Sequence, residues 1–137
     1  MRGVSSNAGL RDVNAAIDSA FEELNAKGIV AMQDVGDTIS DGWADVNEIA
    51  TAREPTPRGA TFYHGQDRER AMAGLGLMLV FGAYEDDPGK QPAASRAIGS
   101  EVCATLARWG VATSWNGDIE TRIQIPPFEW RKGKQRQ

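Results

Sequence analysis

Two stretches of the chain repeat apolar residues every three or four positions, the spacing of one face of an α-helix. In the first stretch these positions are Leu10, Val13, Ile17, Phe21 and Leu24. In the second they are Ile98, Val102, Leu106 and Trp109. Ser5, Ser6 and Asn7 are candidate N-caps for the first helix. Gly28 and Gly110 follow the two repeats, so both helices are predicted to end there.

Shorter apolar runs between these helices predict the strands of a sheet. Residues 29–33 (IVAMQ) and 60–64 (ATFYH) have strand composition, whereas 77–84 (LMLVFGAY) is apolar on both alternations and predicts an interior strand covered on both faces. Weaker helical patterns occupy 41–50 and 67–74. Two prolines interrupt 53–59, and the polar segment 85–95 is predicted to be a loop.

Residues 111–125 predict a β-hairpin. Two alternating runs, VATSW and DIETRIQI, flank Asn116-Gly117, a pair suited to the positive φ angles of a two-residue turn. The residues predicted to face the core are Ile119, Thr121, Ile123 and Ile125. Those predicted to face water are Glu120, Arg122 and Gln124. The elements together predict an α+β fold: one domain over 1–130, with about four helices covering a mixed sheet of about five strands that ends in the hairpin.

Charge and composition narrow the function classes. The net charge is −4, but four of the fifteen basic residues lie in 131–137, so residues 1–130 carry eleven basic and nineteen acidic residues, a net charge of −8. We read 131–137 as a basic, flexible tail. An acidic body repels nucleic-acid phosphates and favours a basic protein partner. With no apolar run of about 20 residues and no targeting segment, the chain is expected to be cytoplasmic and to bind no membrane.

One cysteine and one histidine exclude an internal disulfide and a Cys/His zinc cluster. Four carboxylates, Asp34, Asp37, Asp41 and Asp45, fall within twelve residues. The spacing of a calcium-binding loop is absent, so we expect solvated acids there and neither a metal nor another cofactor. These acids and those of the 85–95 loop are candidates for protein contacts instead. The candidate residues are Asp37, Asp41, Asp45, Glu85, Asp86 and Asp87.

The only histidine opens a dense polar segment, HGQDRER, at 64–70. One interpretation is structural: Asp67 caps the following helix, and Glu69 with Arg70 forms a solvated pair. The other is functional: His64 acts as a general base, Asp67 orients it, and Arg68 or Arg70 binds an anion. We expect His64, Gln66, Asp67 and Arg70 to cluster at one end of the sheet, hydrogen-bonded to each other or to backbone.

The stretch FYHGQDRERAMAGLGLMLVFGAY, followed later by WNGDIETRIQI, resembles a group of bacterial proteins known only as a domain of unknown function. The resemblance spans about 15–131 and is most specific at His64, Gln66, Asp67, Glu69, Arg70, Trp115, Gly117 and Asp118. It implies roles for Gln66 and Asp67 beyond capping, with Gln66 and Glu69 as ligand contacts. It implies no activity.

Three function classes remain open. An acidic domain without a complete catalytic constellation is typical of a binding or inhibitory module, such as an immunity protein that neutralises a basic toxin domain. A small enzyme or ligand-binding protein could instead use the cluster at His64. A structural or regulatory protein with another partner is the third class. The first is the preferred hypothesis, and enzyme activity is not expected.

Overall fold

Helices and strands alternate along most of the chain, as the apolar pattern predicts. The computed structural model describes residues 12–130. Its elements, in chain order, are α1 (Val13–Ala26), β1 (Ile29–Met32), α2 (Ile39–Ala52), β2 (Gly59–Phe62), α3 (Gly65–Met72), β3 (Leu77–Ala83), α4 (Gln91–Arg108) and β4 (Ile123–Ile125). The predicted α+β class is confirmed, and the described residues fit a single domain.

The sheet has four strands in the order β1-β2-β3-β4 over the described residues. Strands β1 and β2 pair in parallel, and the other two pairings are antiparallel. β3 is therefore interior, as its apolar run predicts. Because α2 connects two adjacent parallel strands, the residues that follow β1 and β2 meet at the same end of the sheet.

Helices cover both faces of the sheet. On one face, α1 and α4 bury Ile17, Leu24 and Leu106 in a core that includes Leu77 and Leu79 of β3. On the other face, α2 packs Val46 and Ala50 against alternate strand residues, which are Val30, Ala60, Phe62 and Val80. α2 lies close to β2, since a Cβ at Gly42 would come within 2.2 Å of the Phe62 ring.

The ends of the two long helices differ in how well the sequence predicts them. α1 ends before Gly28, whose φ of +91° is a conformation that glycine adopts without strain. Its N-cap is Asp12, which accepts a hydrogen bond from the Asn14 N–H. The candidate caps Ser5, Ser6 and Asn7 and the apolar Leu10 lie outside the described residues.

α4 begins at Gln91, so the predicted loop over 85–95 is wrong beyond residue 90. The reason is Pro92, which fits the first turn of a helix instead of breaking it.

The predicted hairpin is reduced to one bridge between Ser114 and Gln124, which leaves four strands and not five. A two-residue turn at 116–117 would pair Trp115 with Asp118. Instead the Trp115 Nε1–H donates to the carbonyls of Asp118 and Thr121, at 3.1 and 3.0 Å. These local bonds replace a second ladder. Ile123 and Ile125 are buried as predicted, whereas Ile119 is half-buried and Thr121 is exposed.

Candidate functional site

Residues 63–68, called the joint here, connect the end of β2 to the first turn of α3 and include His64. His64 is the N-cap of α3: its Nδ1 accepts the Asp67 backbone N–H at 3.3 Å, and Asp67 Oδ2 accepts the His64 backbone N–H at 3.1 Å. This is a capping box with histidine in the position that serine or threonine usually occupies. The prediction of Asp67 as the cap is wrong by three residues, because the extended backbone at His64 lets the helix begin at Gly65.

Arg122 completes the joint from the last part of the chain. Its guanidinium donates to the Asp67 carboxylate, and also to the Met78 carbonyl at 2.9 Å. Asp67 is 2% exposed and His64 6% exposed, so the arginine supplies the charge that a buried carboxylate requires. The expectation that Arg122 faces water is wrong. No local pattern indicates this pair, since 55 residues separate its members.

The other polar side chains of the HGQDRER segment point away from this centre. Gln66, Glu69 and Arg70 are exposed. Within residues 12–130 neither Gln66 nor Arg70 makes a side-chain hydrogen bond or ion pair, whereas Glu69 accepts a bond from Arg68 at 3.0 Å. The structure therefore brings together His64, Asp67 and Arg122, and does not add Gln66 or Arg70 to them.

The loop after β1 packs directly against the joint. The Val35 N–H donates to the Tyr63 carbonyl at 3.0 Å, and the Gly65 N–H donates to the Gly36 carbonyl at 2.9 Å. Asp34, with a φ of +59°, accepts a bond from Arg68 at 2.8 Å. A Cβ at Gly65 would lie 3.2 Å from Asp37 Oδ1. These carboxylates stand where an anion would approach the start of α3, and their charge opposes the binding of a phosphate or carboxylate there.

A row of unpaired acids runs from this loop along α2. Asp37, Asp41, Asp45 and Glu48, called the α2 acidic strip below, are all exposed. Their spacing of four, four and three residues keeps them on one side of the helix and of its preceding turn. Within residues 12–130 none of these four side chains has an ion pair or hydrogen bond. Residues 28–52 contain five acids and no lysine, arginine or histidine. Sequence reasoning missed Glu48, although the same spacing includes it.

The acids of the loop before α4 have more local roles. Glu85 accepts a bond from the Asp87 N–H at 3.2 Å, and Asp87 accepts one from the Gly89 N–H at 2.8 Å, so both shape the turn. Asp86 is exposed. The loop leaves the sheet after Tyr84, whose hydroxyl donates to Asn47 of α2 at 2.7 Å and whose burial raises its pKa. This attaches the base of the loop to α2.

Outside the joint and the α2 acidic strip, the described residues form grooves but no candidate metal centre. No group of three or more His, Cys, Asp or Glu residues within 12–130 could hold a metal ion. A groove of about 510 Å³ opens where β2 begins, lined by Lys27, Arg53 and Arg58 among others, and so lies at the opposite end of β2 from His64. Arg58 is already engaged there, by the Glu101 carboxylate and the Lys27 carbonyl. No described helix has the length and apolar composition needed to cross a membrane.

Comparison with known proteins gives a family and no activity. A family model, described as a domain of unknown function (DUF6891), matches residues 12–134. No curated protein and no solved structure shows a significant match to the chain.

Proposed function

The chain belongs to the DUF6891 family, a domain of unknown function, and from its geometry we propose that it is a protein-binding module whose acidic surface docks a basic protein partner. The inhibitor of a basic toxin domain, an immunity-type protein acting in the bacterial cytoplasm, is the form of this function that its charge favours. The observation that carries the proposal is the α2 acidic strip, where four exposed carboxylates have no counter-charge among the described residues.

The α2 acidic strip differs from the acids that the fold itself uses. Several described acids have donors: Glu23 binds Lys27, Arg108 and Trp109, and Glu101 binds Arg58. Like charges three or four residues apart on a helix repel each other, so the charge of Asp45, between Asp41 and Glu48, does not stabilise α2. An uncompensated row of one sign produces a field that accelerates association with an oppositely charged surface.

The alternative, a small enzyme or ligand-binding protein that uses His64, Gln66, Asp67 and Arg70, has less support. His64 and Asp67 are buried, and the Nδ1 of His64 and the Oδ2 of Asp67 each accept the backbone N–H of the other residue. A general base must reach its substrate, and here the candidate base caps a helix. Gln66 and Arg70 are accessible, yet they stand outside the hydrogen-bonded centre.

The proposal is tested on the partner recovered by co-purification from the native host. Asp37, Asp41 and Asp45 are replaced together by lysine, and binding kinetics are measured at low and high salt. We expect the association rate at low salt to fall about tenfold or more and its salt dependence to flatten, since steering by charge is what the reversal removes. Circular dichroism and urea unfolding confirm that the variant folds.

A matched control separates local contact from total charge. Glu22, Glu54 and Glu120 are exposed acids outside the strip, and replacing all three by lysine changes the net charge by the same amount. We expect this variant to keep most of the association rate. Recovery of no protein partner, or of one whose binding ignores both salt and the strip reversal, would reject the proposal and favour a small ligand near Gln66 and Arg70.

A further inference from the structure

β1 is an edge strand of the sheet within residues 12–130, and the side chain of Asn25 covers its outer side at Ala31. The carboxamide of Asn25, in the last turn of α1, accepts the Ala31 backbone N–H at 3.0 Å and donates to the Ala31 carbonyl at 2.9 Å. Asn25 therefore makes the two bonds that a neighbouring strand would make to Ala31. The opposite edge strand, β4, is covered in a comparable way by Ser114, which exchanges two backbone bonds with Gln124.

The bonds that Asn25 makes are the ones a second copy of the chain could supply. In an antiparallel pair, two residues directly opposite each other exchange both N–H···O=C bonds. If β1 met β1 of another copy on a two-fold axis through Ala31, each Ala31 would exchange both bonds with its equivalent. An edge strand is thus self-complementary at this position, and two-fold pairing is the commonest symmetry of protein association.

The surroundings of Ala31 leave room for such a strand. A groove of about 440 Å³ lies between α1 and β1; its lining includes the polar residues Asp18, Glu22, Asn25 and Gln33 and the apolar residues Phe21 and Met32. Gln33 donates to Asp18 at 2.6 Å across this groove. Since Asp18 and Glu22 would face a second copy of themselves, their charge opposes the same pairing that Asn25 blocks.

We propose that Asn25 is an edge guard: its carboxamide occupies the Ala31 N–H and C=O and so prevents β1 from pairing with β1 of a second copy. This inference is independent of the proposed protein partner. Asn25 Nδ2 also donates to the Phe21 carbonyl at 2.9 Å, which caps α1. A cap alone would affect only stability, whereas a guard also controls association, so the oligomeric state distinguishes the two roles.

The test compares the full chain with Asn25→Ala by light scattering after size-exclusion chromatography, over a series of concentrations. We expect a monomeric wild type and a variant that forms dimers with a dissociation constant at least about tenfold lower. Higher salt should strengthen the dimer, because it screens Asp18 and Glu22. Asn47→Ala, which removes a surface amide from α2, is the matched control and stays monomeric.

A second substitution shows whether the association uses β1. Ala31→Pro removes the outward N–H at a position where an edge strand tolerates proline, so Asn25→Ala with Ala31→Pro should return to a monomer. If Asn25→Ala does not fold, Asn25→Leu fills the same volume without hydrogen bonds and takes its place. A wild type that already pairs through β1, folded Asn25 variants that remain monomeric, or dimers that survive Ala31→Pro would each overturn the proposal.

Discussion

The joint and the α2 acidic strip lie at neighbouring parts of the fold and treat charge in opposite ways. In the joint, Asp67 is buried and is held by the His64 N–H and by Arg122. In the strip, the carboxylates are exposed and have no partner within residues 12–130. A buried acid must be compensated for the chain to fold, whereas an exposed acid costs little and is free to act on another molecule. The most conspicuous polar segment of the sequence therefore makes contacts within the fold through His64, Asp67 and Arg68, whereas the α2 acidic strip makes none within residues 12–130.

The largest effect on the free energy of unfolding is expected at Arg122. Replacing Arg122 with methionine leaves the buried Asp67 carboxylate without its cation and the Met78 carbonyl without its donor. We expect a loss of about 3 kcal/mol in the free energy of unfolding, the lower end for breaking a buried pair, because Arg122 is partly exposed. Urea unfolding measures it. Asp45→Asn is the comparison variant, and equal costs for the two would mean that the joint is no more structural than the strip.

The second largest effect is expected at His64 and tests its role as the N-cap of α3. His64→Ala removes the acceptor for the Asp67 N–H and should cost about 1–2 kcal/mol. His64→Asn keeps a side-chain acceptor at the N-cap, so we expect it to recover most of that loss. Urea unfolding of the two variants measures both losses of stability. If asparagine were no better than alanine, the capping role would be wrong and a ligand at His64 would regain support.

The sequence predicts elements with long local patterns and does not predict contacts between distant segments. Periodicity found α1, α4 and the interior strand β3, because each pattern is local and long. It missed the Asp67–Arg122 pair, because the pairing of β3 with β4 brings together residues that are far apart in sequence. The sequence-based prediction is also wrong at Pro92 and at Asn116-Gly117, because each of these segments can adopt two local conformations. Proline both breaks a helix and starts one, and the Trp115 indole bonds its own loop here in place of a hairpin ladder.

A smaller effect concerns Glu23, a half-buried acid that does have partners. Hydrogen bonds from Lys27, Trp109 and Arg108 lower the pKa of Glu23 from 4.5 to about 2. A carboxyl group with a depressed folded pKa stabilises the fold above its unfolded pKa, and this stability is lost as the pH falls towards the folded value. We therefore expect the stability difference between wild type and Glu23→Gln to shrink as the pH falls from 4.5 to about 2.

Urea unfolding of both proteins at several acidic pH values checks this expectation. Glu101, whose pKa Arg58 lowers through a side-chain hydrogen bond, should behave in the same direction when replaced by glutamine. A stability difference that stays constant with pH for Glu23→Gln would show that its donors do not hold the charged form. The contrast between partnered acids and the strip would then be weaker.

The smallest expected effect is a change in the free energy of unfolding that tests charge repulsion within the α2 acidic strip. Asp45 lies four residues after Asp41 and three before Glu48, so it faces a like charge on both sides. Asn has nearly the same helix propensity as Asp, so Asp45→Asn isolates the charge. We expect it to raise the free energy of unfolding by about 0.3–0.5 kcal/mol at low salt. High salt should remove the gain, since exposed charges are screened.

Asp41→Asn is the control that makes this small effect interpretable. Asp41 lies in the first turn of α2, where a negative charge is favoured by the helix dipole, so relief of repulsion and loss of that attraction should nearly cancel. Asp45→Asn must therefore stabilise more than Asp41→Asn, and only at low salt. If the two variants were equal, or if salt made no difference, the strip would not repel itself, and the field proposed to attract a basic partner would lose its physical basis.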